Sequence, residues 1–233
     1  MEMTLNKLHL GCGTIAPAGW HNVDGSINVA LARWPRLRSV LMALRIVPRT
    51  AAVAYPPGIS RLDITKPLPF LDGSFDSVYS SHTLEHLYLS QTQALLRECF
   101  RVLRPGGVAR MLVPDLRAIC EEYFGLRKLD WHSDQPVPAC AGDLVNRRLL
   151  MREPDPGAGG IASRANRAFF DLHSHKWMFD GESLAHHMTS VGFVECRVRG
   201  FLESDIPGIA DVEMSSRIEG GQGVCVEGRK PFG

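Results

Sequence analysis

Two glycines and two carboxylates stand at the ends of short segments that are typical of β-strands. Gly11 and Gly13 follow the first segment, Asp24 ends the second and Asp63 ends the third. Glycine lets the backbone pass close to a ligand and offers its N–H groups. A carboxylate that ends a second strand can accept hydrogen bonds from two ribose hydroxyls, and one that ends a third from an exocyclic amine such as that of adenine. The set predicts a nucleotide site, although each carboxylate alone is also typical of a turn or helix cap.

A second chemical pattern has the spacing His-x-x-Glu-His, at His82, Glu85 and His86. On a helix this spacing puts two imidazoles on one face, as a zinc hydrolase requires. That interpretation needs a long helix and a third ligand, whereas the motif directly follows a predicted strand and no third partner is evident. We therefore expect a short helix that packs at the site, and no bound metal.

The elements that must position these residues alternate between strand and helix patterns. Strands are predicted near residues 7–10, 21–24, 60–63, 75–80, 108–113, 194–198 and 224–227. Helices are predicted near residues 27–46, 90–103 and 180–191, with Ser90 and Asp180 as caps of the last two. Such alternation favours an α/β fold with a mainly parallel sheet, helices on both faces and ligands at the carboxyl ends of the strands.

The composition excludes several classes of protein. The 233 residues carry 26 Lys and Arg against 25 Asp and Glu, so there is no charge excess for binding nucleic acid. Six scattered cysteines form neither a disulfide framework nor a zinc knuckle, which favours a reducing compartment. The first ten residues lack a signal-peptide pattern, and no apolar run reaches the roughly 18 residues of a membrane span. We expect a cytoplasmic protein without a nucleic-acid partner or a membrane span; its oligomeric state stays open.

Longer motifs resemble those of the class I S-adenosylmethionine-dependent methyltransferases. They lie at residues 8–13, 24, 62–63, 68–76, 81–86 and 101–107. The chain is most similar to small-molecule and metabolite enzymes, including predicted methyltransferases of sugar and polysaccharide pathways. The resemblance covers residues 7–115 closely and about 173–228 more loosely. It implies one domain over residues 1–233, with a Rossmann-like seven-stranded, mostly parallel sheet whose last strand is antiparallel.

The resemblance also implies the cofactor, S-adenosylmethionine, with S-adenosylhomocysteine as product. In such a site the glycine turn approaches the methionine and ribose, Asp24 holds the ribose, and Asp63 with Ile64 contacts the adenine. The residues implied to bind the cofactor are Leu10, Gly11, Cys12, Gly13, Asp24, Gly25, Asp63, Ile64, Ser80, Ser81 and His82.

The implied reaction is methyl transfer to a small-molecule or glycan acceptor, at a hydroxyl oxygen. A hydroxyl needs a base, and histidine titrates near neutrality. His82, His173 and His175 are the candidates, although a histidine in a surface loop is usually only solvated. Alternatives are N-methylation of a small metabolite and a catalytically silent protein that binds S-adenosylmethionine and serves as a partner. A zinc hydrolase through the His-x-x-Glu-His motif is disfavoured, and Ser80–Thr83 replaces the aromatic tetrapeptide of methylases that act on nucleobase amines.

Three segments depart from the simplest pattern. Only ten residues separate Gly13 from Asp24, which predicts a loop or a short helix there. The helical insert near residues 27–46 is divided at Pro35; its basic side chains could attract an anionic acceptor or form a solvated amphipathic cap. Its arginines, with those that follow, are Arg33, Arg36, Arg38, Arg45 and Arg49. Residues 116–172 are predicted to form a substrate-binding lid, with a mobile loop over 155–160.

Overall fold

A seven-stranded sheet forms the centre of the computed structural model, which describes residues 5–43, 53, 55–130, 137–150 and 174–232. The strands are β1 (Lys7–Leu10), β2 (Trp20–Asp24), β3 (Ser60–Arg61), β4 (Phe75–Ser81), β5 (Leu103–Pro114), β6 (Val194–Arg199) and β7 (Gly223–Arg229). Their order is β3-β2-β1-β4-β5-β7-β6; the pairs among the first five are parallel, and β7 is antiparallel to both of its neighbours. The predicted fold, including the antiparallel last strand, is confirmed.

Six α-helices accompany the sheet in the described part of the chain. They are α1 (Ile27–Ala32), α2 (Pro35–Ala43), α3 (Leu89–Val102), α4 (Leu116–Tyr123), α5 (Ala141–Arg148) and α6 (Gly181–Ser190). Short 3-10 helices cover Leu84–His86, Ile209–Asp211, Ser215–Arg217 and Glu219–Gly221. Among these residues no helix has both the length and the apolar character needed to cross a membrane.

The predicted division of the insert at Pro35 is confirmed, because proline tolerates only the first turn of a helix and here it opens α2. Residues 44–46 of the predicted insert lie outside the described residues. Turns connect Gly13 to β2, so the loop expected between the first two strands is also confirmed. The prediction of Ser90 as the cap of α3 is wrong, since the helix is capped two residues earlier. Its cap is Tyr88, whose N–H donates to Gln91 Oε1 at 3.0 Å.

One face of the sheet packs against α3 and α6. Leu8, Val78 and Met111 point into this core from the strands, while Leu96 and Leu184 fill it from the helices. These side chains are at most 1% exposed, and burial of such apolar surface favours folding. Alternate strand residues point to the opposite face, where Tyr79 and Trp20 pack against the segment 206–212.

A buried ion network joins this second face to the chain beyond β6. Arg110 lies on β5 and donates from Nε and Nη2 to the two carboxylate oxygens of Glu213, at 2.8 and 3.0 Å. Both side chains have no exposed surface, and Glu227 lies 3.4 Å from the same guanidinium. Arg110 also donates to the carbonyls of Gly200 and Glu203, each at 2.8 Å. The pattern of the sequence did not predict this network.

The predicted lid region contains α4 and α5. Arg148 of α5 donates to both carboxylate oxygens of Glu122 on α4 at 3.0 Å, which holds the two helices together. Residues 131–136 and 151–173, including the predicted loop 155–160, lie outside the described residues. The assignment of residues 116–172 as a lid within one domain stays a prediction.

Candidate active site

The turn after β1 requires glycine at Gly11. Its φ of +63° is unfavourable for other residues, and a Cβ built there would collide with the side chain of Thr83. Thr83 follows the end of β4, which pairs with β1 in a register that places Leu10 beside Ser80. The glycine turn and the segment that begins at Ser80 therefore lie side by side at the carboxyl edge of the sheet.

Asp24 fastens this turn to the end of β2. Its Oδ2 accepts a hydrogen bond from Gly13 N–H at 2.8 Å, and its Oδ1 accepts one from Ser26 N–H at 2.7 Å. Each carboxylate oxygen has a second lone pair, so these bonds leave room for ligand hydroxyls. Gly25 lies beside the chain that follows β3, since a Cβ built there would be in van der Waals contact with Leu62 O at 3.4 Å.

The two residues that flank Gly11 are packed rather than exposed. Leu10 is fully buried in the main core, and Cys12 packs with Val29 and Ile59. Burial, with a smaller contribution from the charge of Asp24, raises the pKa of the Cys12 thiol to about 12. The thiol stays neutral, so these two positions can serve a ligand only through their backbone.

Asp63 forms a turn at the third strand end. Its Oδ1 accepts hydrogen bonds from the Thr65 hydroxyl at 2.6 Å and from Thr65 N–H at 3.1 Å. The hydrogen bond from the Thr65 hydroxyl is the main cause that holds the pKa of Asp63 below its usual value. The Asp63 side chain is about half exposed, and Ile64 packs partly against the core.

Two serines, Ser80 and Ser81, end β4, and His82 follows them. Ser80 Oγ is buried without a hydrogen-bond partner among the described residues, whereas Ser81 Oγ accepts from Arg217 Nη1 at 3.3 Å. The Arg217 carbonyl lies 3.2 Å from His82 Nε2, so the proton of His82 belongs on Nε2. Arg217 was not predicted as a site residue, because nothing in its local sequence marks it.

His82 occupies a constrained position. Its φ is +49°, a conformation uncommon for residues other than glycine and frequent at functional sites. Burial, together with the positive charge of Arg217, lowers the pKa of His82 to about 4. The ring is therefore neutral at pH 7, and its Nδ1 lies 3.6 Å from Glu85 Oε1.

Glu85 is the centre of a cluster that sequence reasoning only partly found. The carboxyl group is 1% exposed, and burial raises the pKa of Glu85 to about 8. His86 Nε2 lies 3.9 Å from Glu85 Oε1, and the rings of His86 and His175 are 5.1 Å apart between centroids. One ligand atom from each of Glu85, His86 and His175 lies within 4.8 Å of the others. The expectation that the motif has no third partner is wrong, since His175 comes from 89 positions beyond His86 in the chain.

Backbone hydrogen bonds bring His175 to the cluster. The N–H groups of Lys176 and Trp177 both donate to the Glu85 carbonyl, at 2.7 and 3.3 Å, and Lys176 Nζ donates to the His86 carbonyl at 2.8 Å. Burial is the main cause that lowers the pKa of His175 to about 4. Trp177, which follows this segment, is 44% exposed. His173 lies outside the described residues.

The comparisons with known proteins find methyltransferases. Residues 8–111 match the methyltransferase domain family. A ubiquinone/menaquinone biosynthesis C-methyltransferase of Xylella fastidiosa is 37% identical over 100 residues, which are 40% of this chain and 38% of that relative. The chain therefore matches less than two fifths of the length of this curated relative.

Solved structures show the same fold at low sequence identity. An S-adenosylmethionine-dependent methyltransferase of Thermotoga maritima has a TM-score of 0.50 and 17% identity, over 97% of this chain and 82% of its own. One of Archaeoglobus fulgidus has a TM-score of 0.50 and 14% identity, over 97% and 86%. These structures show that the chain has the fold of the class I S-adenosylmethionine-dependent methyltransferases. The family match covers residues 8–111, which is less than half of the chain.

Proposed function

We propose that the protein transfers the methyl group of S-adenosylmethionine to a hydroxyl oxygen of a small-molecule or glycan acceptor. The observation that carries this proposal is the close approach of Gly11 to Thr83. Because of this contact, the glycine turn, which can bind the cofactor, lies next to the histidine cluster, which can remove a proton from the acceptor. The enzyme has chiefly to align the acceptor oxygen with the methyl group and to remove its proton.

The residues at the strand ends fit this cofactor. A Cβ built at Gly13 would meet nothing within 4 Å, so there is open space beside the turn, and the Ser80 hydroxyl is buried without a partner among the residues described. Asp24 would hold the ribose hydroxyls, Asp63 with Ile64 the adenine, and the segment from Ser80 to His82 the methionine end. When bound, the cofactor supplies a methyl group made electrophilic by the sulfonium charge.

The base is assigned to His82 or His175. Both rings are neutral at pH 7, because burial lowers the pKa of each to about 4. A neutral imidazole can accept the hydroxyl proton as the new bond to oxygen forms. His173 remains a third candidate from the sequence.

The acceptor is expected to be anionic. Arg217 is half-buried beside His82, and Arg33 and Arg36 are exposed in the insert that begins next to Asp24. An anionic group, such as the phosphate of a sugar phosphate, would be attracted by these side chains. The six cysteines are free thiols, which supports a reducing cytoplasm as the site of action.

Carbon is the second candidate for the accepting atom. The Xylella relative is named a C-methyltransferase, and methylation of a phenolic ring at carbon also begins with loss of a hydroxyl proton. The position of the new methyl group in the product distinguishes an oxygen, nitrogen or carbon acceptor.

The test is a screen for an acceptor with purified protein and S-adenosylmethionine, beginning with sugars and phosphorylated metabolites. Formation of S-adenosylhomocysteine would be measured, and the product would be located by mass spectrometry and NMR. On an acceptor so found, His82→Ala or His175→Ala should lower kcat while leaving the affinity for S-adenosylhomocysteine nearly intact. The matched control is His187→Ala, on α6 outside the cluster, which should keep full kcat. Unchanged kcat in both cluster variants would contradict the assignment of the base.

Binding of S-adenosylhomocysteine without turnover of any acceptor would instead favour a catalytically silent partner protein.

A further inference from the structure

Glu85 is a buried carboxyl group whose surroundings are incomplete. Neither of its oxygens has a hydrogen-bond partner among the described residues, and the side chain is 1% exposed. Among the described residues, the nearest imidazole nitrogens are His82 Nδ1 at 3.6 Å and His86 Nε2 at 3.9 Å, both too far for a hydrogen bond. A buried carboxyl group left without partners is costly, and native proteins rarely leave one so.

The imidazoles around it are oriented for a cation. His86 Nδ1 lies 3.2 Å from the Ser174 carbonyl, so this nitrogen carries the proton. The lone pair of His86 therefore lies on Nε2, the nitrogen that faces Glu85. A ligand histidine that donates its other N–H to a carbonyl is a common feature of metal sites, because the hydrogen bond fixes the tautomer and the ring orientation.

His175 completes the set. Its Nδ1 is buried and has no hydrogen-bond partner within the described ranges. Backbone hydrogen bonds from Lys176 and Trp177 to the Glu85 carbonyl hold its segment in place. Three ligand atoms, one each from Glu85, His86 and His175, thus converge within 4.8 Å of one another from two distant parts of the chain.

We propose that Glu85, His86 and His175 bind one divalent transition-metal ion, such as Zn²⁺, through one carboxylate oxygen and two imidazole nitrogens. Two histidines and a carboxylate are a known ligand set for zinc and for iron(II), and they leave at least one position open. Ligand atoms around a tetrahedral zinc lie about 3.4 Å apart, so the side chains have to move inward by roughly 1 Å.

The proposal stands on this cluster and does not depend on methyl transfer. If both activities are present, the metal occupies two of the three described imidazoles of the cluster. His82, which contributes no ligand atom to the set, is then the one able to accept a proton.

The experiment uses the full-length protein, stripped with a chelator and titrated with Zn²⁺ by calorimetry. Co²⁺ serves as a second probe, since its visible absorption reports ligand number and geometry. We expect one Zn²⁺ per chain, and a loss of affinity by a factor on the order of 100 or more in Glu85→Gln and in His175→Ala. The control is the double variant His186→Ala/His187→Ala, which removes adjacent histidines on α6 and should bind Zn²⁺ like the wild type.

Thermal unfolding of the metal-free proteins shows whether each variant is folded, without reliance on either ligand. Absence of Zn²⁺ binding to folded wild type would overturn the proposal. So would wild-type affinity in folded Glu85→Gln and His175→Ala. The metal-free wild type is also titrated with S-adenosylhomocysteine. Because the proposed cofactor residues contribute no ligand to the metal, this titration tests the proposed function independently of the metal site.

Discussion

The carboxylate of Asp24 accepts a hydrogen bond from the N–H of Gly13 at 2.8 Å, so the end of β2 holds the turn that follows β1. Its other oxygen accepts from Ser26 N–H, which fixes the start of the insert at α1. One side chain therefore organises the glycine turn, the strand end and the entry to the insert. The proposed ribose-binding residue is held in place before any ligand arrives, and this lowers the cost of ordering it on binding.

Alanine substitution at the two turn glycines should have unequal effects. Each has a positive φ, which costs about 1 kcal/mol for alanine, but only a Cβ at Gly11 collides with Thr83. We expect Gly11→Ala to lower the thermal midpoint and the affinity for S-adenosylhomocysteine more than Gly13→Ala does. Equal effects would show that the contact between the turn and Thr83 is not tight.

Removal of the buried arginine should be costly. Arg110→Leu leaves Glu213 and Glu227 buried without their cation, and breaking a buried ion pair in this way typically costs about 3–5 kcal/mol. Urea unfolding measures the loss. The control is Arg127→Ala, whose guanidinium pairs with Glu121 at the surface and which should cost no more than about 1 kcal/mol. A loss at Arg110 as small as that of the control would contradict a stabilising role for the network.

The cap of α6 should make stability depend on pH. Asp180 accepts from Ser183 N–H at 2.8 Å, and this bond is the main cause that lowers the pKa of Asp180. Because the folded pKa is depressed, the stabilisation is present above the unfolded value of about 3.9 and is lost as the pH falls through the folded value. Asp180→Ala should cost about 1 kcal/mol at pH 7, and the difference from wild type should shrink below about pH 4.

Unfolding midpoints at several pH values test this prediction. Glu182→Ala, in the same first turn but 85% exposed, is the matched control and should change the midpoint less. A deficit in Asp180→Ala that stays constant down to pH 2 would rule out the charged cap as its source.

Local signals explain what the sequence could predict. Alternation of apolar residues, the glycine turn and the acidic strand ends are read within a few residues, so the sheet, the split at Pro35 and the cap at Asp180 were all predicted. Contacts between residues that lie far apart in the chain were not predicted. Arg110 sits in an apolar strand, and its partner Glu213 lies 103 positions away.

In the candidate site, too, the residues of one local motif were predicted and the residues brought in by tertiary contacts were not. His82, Glu85 and His86 share one motif and were found by spacing. The approach of His175 to that motif depends on backbone hydrogen bonds from Lys176 and Trp177, and the approach of Arg217 depends on the path of the chain before β7. No local pattern in the sequence indicates the contact made by His175 or the one made by Arg217.

Calorimetric titration with S-adenosylhomocysteine shows whether the turn held by Asp24 binds the cofactor. Wild type would be compared with Asp24→Ala and with Asp72→Ala, a carboxylate that is 81% exposed and pairs with Arg101. Thermal unfolding would first establish that all three are folded. We predict one-site binding to wild type and Asp72→Ala, and its loss in Asp24→Ala. Absence of binding to folded wild type, or equal affinity in all three proteins, would contradict the assignment.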